Sequence, residues 1–416
     1  MRLPRYSLGI GDRFGMQGEA QISSVILAGK ETGTIIAPVW NKSNREHRII
    51  GTNPRSAREE ADQAVRATGW TGPYFVDADH VNRETVEAYL PHADFFTLDV
   101  ADAIGRAPSV ARLDGFLKRY QGLVPVPIEG LEEPLELSRE DLERFGRRYA
   151  VAIDQAAETY GLVEGYKGRG NFVTEVSMDE TDQPQSPSEL LLILAELAHA
   201  GVPVQTVAPK FTGQFYKGVD YVGDIHAFRL EFRRHLAVIA HAVEEYDLPE
   251  DLKLSVHSGS DKFSIYGPIH EALDASGKGL HLKTAGTTWL EEVTGLAEAG
   301  GEGLAVAKEV YRQARQRMPE LAAPYAQVID IDPAGLPDPA RVDGWTREQF
   351  ANALRHDPRN PEYNRNLRQL VHIGFKIAAE LGESYRQALR DNREIIAKNV
   401  TRNLYERHIK PVFLGA

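Results

Sequence analysis

Residues 172–208 read FVTEVSMDETDQPQSPSELLLILAELAHAGVPVQTVA. A short apolar run, Phe172–Ser177, leads to Ser186-Pro187-Ser188-Glu189. That tetrad is a helix start: a capping serine, proline at the first helical position and glutamate at the third. The leucine-rich stretch after it predicts a helix to about Ala200, stopped by Gly201. A second apolar run, Val202–Ala208, begins at once. Short continuous apolar runs are what strands buried on both faces require, so the segment reads as a unit of a parallel sheet.

The same alternation extends in both directions. Further strands are expected at Tyr6–Gly11, Thr34–Val39, Tyr74–Ala78, Phe95–Val100, Leu252–His257 and Leu280–Ala285. Pro38 makes the second of these the weakest, because proline cannot donate to a ladder. Ser56 with Glu59 and Thr288 with Glu291 have capping-box spacing, and Leu142, Phe145, Tyr149 and Ile153 share one helical face. Eight strand–helix units in roughly 290 residues predict an α/β fold, a (β/α)8 TIM-type barrel, over a doubly wound sheet. GIGDRFG at 9–15 has the spacing G-x-G-x-x-x-G, one residue too long for a dinucleotide turn. The barrel is expected to fill residues 1–320, with an insertion at about 103–171. Residues 321–416 then read as a linker (IDIDPAGLPDPARVDGW) and a helical extension, helical from Asn364 onward, packed on the barrel.

The 416 residues carry 48 Lys and Arg against 60 Asp and Glu, a formal charge of −12. Apolar residues make up 42% and charged residues 26%, the composition of an ordinary globular chain. The acidic balance argues against nucleic acid as partner. No window approaches the roughly 18 apolar residues of a membrane span. The absence of cysteine excludes disulfides and thiolate sites. With no signal-peptide pattern at MRLPRYSLGIGDRFG, a cytoplasmic protein is expected, one that binds a small molecule and has no membrane partner. A homo-oligomer is compatible with these features.

A barrel of this kind places its active site at the C-terminal strand ends. Nearly every expected strand ends in charged or ligating residues: Asp12 and Arg13; Asp77, Asp79 and His80; Asp99; Glu175 and Asp179; Lys210; His257, Asp261 and Lys262; His281 and Lys283. His226 follows at the start of a helix. Histidines and carboxylates from separate strand ends suit a divalent metal bound through nitrogen and oxygen, and no helical HExxH pair offers another route. His257 in LSVHSGSDKF and His80 in FVDADHV lead, each against a bland reading as a strand or helix cap. Glu175 lies inside an apolar strand, where a lone carboxylate is costly, and is the first candidate for general base; Asp261 is the second and Glu129 a weaker one. Lys210, Lys262, Lys283 and Arg13 are the candidates to bind an anionic substrate.

YSLGIGDRFGMQGEAQ, FVDADHV, FTLDVAD, APKFTGQFYKGVDYVGD, LSVHSGSDKFSIYGP and HLKTAGTTWLEE together resemble the tagaturonate epimerase family, as does NRNLRQLVHIGFKIAAELG near the C-terminus. The resemblance implies a barrel and a metal-dependent interconversion of D-tagaturonate and D-fructuronate in hexuronate catabolism. It implies His80, His226 and His257 as ligands of a divalent ion (Zn, Mn, Co or Ni), with Glu175 as acid/base or further ligand. His281 is the alternative should one of the three not serve. The carbon inverted lies one bond beyond those next to the ketone, so that ketone does not acidify its hydrogen. Retro-aldol cleavage, rotation and re-addition solves this; transient oxidation needs a nicotinamide that no motif supports, and enediol shuffling is a third route. Two rival functions use the same residues. A metal-dependent sugar isomerase or class II-type aldolase is separated by its products; a non-enzymatic sugar-acid binding protein, by the absence of turnover.

Overall fold

The computed structural model describes residues 1–122 and 125–416. Eight parallel strands close into a barrel in sequence order: β1 Tyr6–Ile10, β2 Ile36–Ser43, β3 Phe75–Val81, β4 Phe95–Asp99, β5 Val173–Ser177, β6 Thr206–Ala208, β7 Lys253–Val256 and β8 Leu280–Lys283. All eight strands expected from the sequence are present. β2 continues past Pro38 because pairing with β3 begins only at Val39, so the missing N–H is not needed there.

The helices around the barrel are α1 Gly18–Thr32, α2 Asn44–Ile50, α3 Pro54–Thr68, α4 Val110–Tyr120, α5 Arg139–Lys167, α6 Pro187–His199, α7 Ile225–Glu245, α8 Phe263–Ser276 and α9 Ala285–Ala299. The box at Ser186 and Glu189 starts α6 as expected. Ser56 is not an N-cap but the third residue of α3, whose cap is Asn53. Thr288 lies inside α9, which begins at Ala285. The long excursion between β4 and β5 is only partly an insertion. Its α5, burying Leu142, Phe145, Tyr149 and Ile153, is itself the crossover helix. Residues 123 and 124 of that excursion lie outside the described residues.

The C-terminal region continues with α10 Gly301–Gln316, α11 Met318–Ala322, α12 Pro339–Asp343, α13 Arg347–Leu354, α14 Arg365–Ile373, α15 Phe375–Leu381, α16 Glu383–Asp391, α17 Arg393–Arg402 and a last helical segment, Asn403–Leu414. Asn364 caps α14, accepting from Leu367 N at 2.8 Å. This region packs on α9, α8 and α1, on the side of the ring where the barrel closes.

Side chains alternate in and out along each strand. At the N-terminal end the inward residues are apolar: Ala37, Val39, Phe75, Phe95 and Val173 form a plug with Leu3. One and two steps higher the same strands turn inward Asn41, Asp77, Asp79, Thr97, Asp99 and Glu175, joined by Thr206 of β6 and Lys283 of β8. A barrel held only by packing would continue in Val and Ile; this one becomes polar and ionisable toward its C-terminal end.

Candidate active site

A cavity of about 250 Å³ opens at the C-terminal end of the strands. At its base His80, Asp179 and His257 bring one ligating atom each to within 4.8 Å of the others. The two imidazole rings lie 5.1 Å apart, edge to face. His80 departs from the alternation of β3. Its φ is +54°, in the left-handed region that non-glycine residues seldom enter, and the β3–β4 register shifts between Ala78 and Val81. Asp79 faces the barrel, and this irregularity swings His80 in beside it.

Each histidine is fixed by a carboxylate. Nδ1 of His80 is 2.9 Å from Asp99 Oδ2. Nε2 of His257 is 2.7 Å from Glu175 Oε1, and its Nδ1 is 3.1 Å from Asp179 Oδ1. Ser177 Oγ donates to the same Asp179 oxygen at 2.6 Å. A carboxylate behind each ring thus holds one nitrogen, Nδ1 of His80 and Nε2 of His257, and the opposite nitrogen of His257 meets Asp179 within the cluster, as in carboxylate–histidine–metal sites. Two nitrogens and a carboxylate oxygen make a donor set that fits a divalent ion of the Zn, Mn, Co or Ni kind.

Beneath them runs a buried ionic layer. Lys283 Nζ donates to Asp79 Oδ1 at 2.7 Å, Thr97 Oγ1 at 2.8 Å and Asp77 Oδ2 at 2.9 Å, and lies 3.0 Å from Glu175 Oε1. Thr206 Oγ1 donates to Glu175 Oε2 at 2.7 Å. Gly9 leaves room for this lysine; a Cβ there would stand 2.9 Å from Lys283 Cγ. Burial alone would depress Lys283, but Asp77, Asp79 and Glu175 outweigh it and hold the ammonium well above its usual range. Burial would raise Glu175, yet Lys283 and His257 hold it well below the carboxylate range. Burial dominates at Asp77, which is pushed up to about 7. At His80 burial acts downward, and Asp79, Asp99 and Asp179 reverse it, pushing the ring up to about 10.

The structure therefore brings together His80, His257, Glu175 and Lys283. It corrects other expectations. His226 stands exposed in the first turn of α7, outside the ligand group, where its backbone serves the Asp224 cap. The group that could hold an ion contains Asp179 beside the two histidines instead. His281 is buried but bonds Ser7 Oγ at 2.9 Å, deeper in the barrel. Asp261 does not reach the cavity; it is wholly buried in an ion pair with Arg368 at 2.8 Å, beneath the C-terminal region. Glu175 lies behind His257 and Lys283 rather than on the cavity wall. Glu129 is exposed.

Among the expected cations, Lys262 reaches the wall, but its ammonium is tied to the carbonyls of Tyr216, Val219 and Ser260 at 2.7–2.9 Å. Arg13 also lines the wall, paired with Glu46 and stacked 3.9 Å over the Phe375 ring. Lys210 lines a smaller side cavity with Phe211 and Phe215. Asp12 turns back to accept from Phe14 N and Gly15 N, shaping the loop after β1.

Sequence reasoning placed Asp179 among the strand-end residues without assigning it as a ligand, and gave no role to Glu180, Arg45, Lys217, Tyr325 or His372, all on the wall. Asp179 is the second residue past the end of β5. Tyr325 and His372 come from beyond the barrel and carried no strand-end signal.

Such a site on such a fold defines a barrel enzyme with a candidate metal centre at the C-terminal strand ends. The family model for tagaturonate epimerase matches residues 1–411, so the chain belongs to the tagaturonate epimerase family and is an isomerase. A tagaturonate/fructuronate epimerase of Thermotoga maritima is 29% identical over 420 residues, covering 97% of this chain and 80% of that one. Crystal structures of the fructuronate-tagaturonate epimerase UxaE of Cohnella laeviribosi share the fold. A glycerol complex superposes with TM-score 0.83 and the native form with 0.82, each at 23% identity over 99% of this chain and 82% of that one. Among the described residues, no helix is long and apolar enough to cross a membrane.

Proposed function

We propose that this chain interconverts D-tagaturonate and D-fructuronate by breaking and remaking the C3–C4 bond, with a divalent ion held by His80, Asp179 and His257. The observation that carries the reading is the pair of imidazoles, each fixed at one nitrogen by a carboxylate, gathered with Asp179 so that one ligating atom of each lies within 4.8 Å of the others. The bound ion supplies Lewis acidity, drawing off the negative charge that develops during cleavage.

The chain's own groups do the rest. A base takes the C4 hydroxyl proton. The C4–O bond becomes a carbonyl, C3–C4 breaks, and its electron pair passes into the C2 ketone as an enolate. The aldehyde piece rotates, the pair returns to the opposite face of C4, and the proton goes back to the C4 oxygen. The base is assigned to Glu180. It lines the cavity beside Asp179 and, among the described residues, forms no ion pair. Asp79 also faces the cavity, but Lys283 and His80 overcome its burial and hold it below the carboxylate range, which makes it a poor acceptor. Glu175 is a positioning residue for His257 and Lys283.

NMR of D-tagaturonate with metal-loaded and chelator-stripped protein tests the reading. The C4 epimer should appear with the loaded protein alone, the carbon skeleton intact. Accumulating three-carbon products would instead identify an aldolase, and equal turnover without metal would overturn the metal assignment.

A further inference from the structure

The wall of the cavity carries five cationic side chains: Arg13, Arg45, Lys217, Lys262 and Lys283. Three are engaged within the protein. Lys283 serves the buried carboxylates, Lys262 three carbonyls and Arg13 the Glu46 carboxylate. Among the described residues, Lys217 and Arg45 have no carboxylate within 4.0 Å.

Lys217 sits in the loop between β6 and α7. Its backbone N–H donates to Val328 O at 2.8 Å, which ties the loop to the C-terminal region. Among the described residues its ammonium donates only to Ser258 Oγ, at 3.4 Å, and Ser258 directly follows His257. Arg45, in the first turn of α2, lies 4.7 Å over the Tyr325 ring. Burial first, then the like charges of Arg45 and Arg13, hold Lys217 below its ordinary range, against the pull of Glu180 and Asp179. Two cations on the wall of a cavity, neither paired to a carboxylate within 4.0 Å among the described residues, form a receptor for an anion.

We infer that Lys217, assisted by Arg45, binds the carboxylate of the sugar acid and keeps the aldehyde half of the cleaved substrate in place. This rests on the function proposed above. In a 2-ketohexuronate the carboxylate is C6, two bonds from C4. Cleavage of C3–C4 leaves C1–C3 as the enolate and C4–C6 as an aldehyde that still bears the carboxylate. With C6 anchored, rotation about C4–C5 presents the other face of C4 without release of the fragment. Charge at C6 therefore contributes both substrate choice and fidelity.

The experiment compares D-tagaturonate with the neutral 2-ketohexose that carries CH2OH at C6, in wild type, Lys217→Met and Lys217→Arg. Loss of one charge-assisted contact should narrow the preference for the acid in kcat/KM by roughly 10- to 100-fold in Lys217→Met. Lys217→Arg should keep most of it, and Lys217→Met should release a three-carbon aldehyde acid during turnover. Equal losses on both sugars, or none, would overturn the anchor. Calorimetric binding of both sugars reads the same preference without turnover. Wild type that prefers the acid in binding but yields no epimer would therefore sink the proposed function and leave the anchor standing.

Discussion

Glu175 holds His257 by a 2.7 Å contact to Nε2 while standing wholly buried, behind the imidazole as seen from the cavity. A carboxylate there sets the direction of the ring and its basicity; it does not reach substrate. Glu175→Gln should accordingly lower metal affinity by roughly 10- to 100-fold, with turnover partly restored by excess ion. Metal content and turnover across a metal titration measure this. Normal metal affinity with collapsed kcat would return Glu175 to the proton-transfer step.

The proposed ligands can be told apart from those expected from the sequence. His80→Ala and Asp179→Asn should each lose bound ion and turnover, whereas His226→Ala, altering an exposed side chain of α7, should keep both. Elemental analysis of the three purified variants decides the matter. Ion loss in His226→Ala would contradict the geometry.

Glu180→Gln should lower kcat by roughly 10²–10⁴-fold, the size of a lost acid/base group, with metal content unchanged. Steady-state kinetics beside elemental analysis reads this out. A full-rate variant would move the base to another carboxylate of the wall.

Arg368 and Asp261 are both fully buried and 2.8 Å apart. Arg368→Met would leave Asp261 charged and unpaired. Denaturant unfolding should register about 3–5 kcal/mol of lost stability, in line with breaking a buried pair. A neutral result would show the pair to be dispensable.

Glu291 on α9 is buried and accepts from Asn403 Nδ2 at 2.7 Å. Burial is the main cause that pushes it up to about 7, despite Arg368 and Arg355. The folded state thus holds this proton where the unfolded chain has released it. Stability from this group is intact below about pH 4.5 and declines as pH rises to about 7, by at most about 1.4 kcal/mol per unit. Subtracting the stability of Glu291→Gln from that of wild type across pH 4–8 isolates it. A difference that stays level over that range would refute the assignment.

The barrel was legible because its strands are continuous apolar runs and α6 has its cap and stop in plain sequence. The site was legible only in part. His257 and Lys283 follow from strand ends, but His80 faces inward through a left-handed backbone that no periodicity reports. Asp261 resembled a catalytic turn residue; its partner, Arg368, lies 107 positions away in α14. His226 looked like a ligand because helix starts face the mouth of a barrel, yet a first-turn side chain can equally point to solvent. The third member of the cluster is Asp179, which sequence placed at a strand end but gave no reason to prefer over its neighbours.

His372, on α14, lies so close to Gly286 that a Cβ there would stand 2.2 Å from its Nε2, and with Tyr325 it completes the cavity wall. Domains take shape from the N-terminus as the chain leaves the ribosome. All eight strands have been made by residue 283, whereas His372 emerges some 90 residues later. For that interval the growing chain holds the His80, Asp179 and His257 cluster but not the last piece of the cavity wall. A chain cut short before α14 would carry every strand of the barrel yet lack His372 from the wall of its pocket.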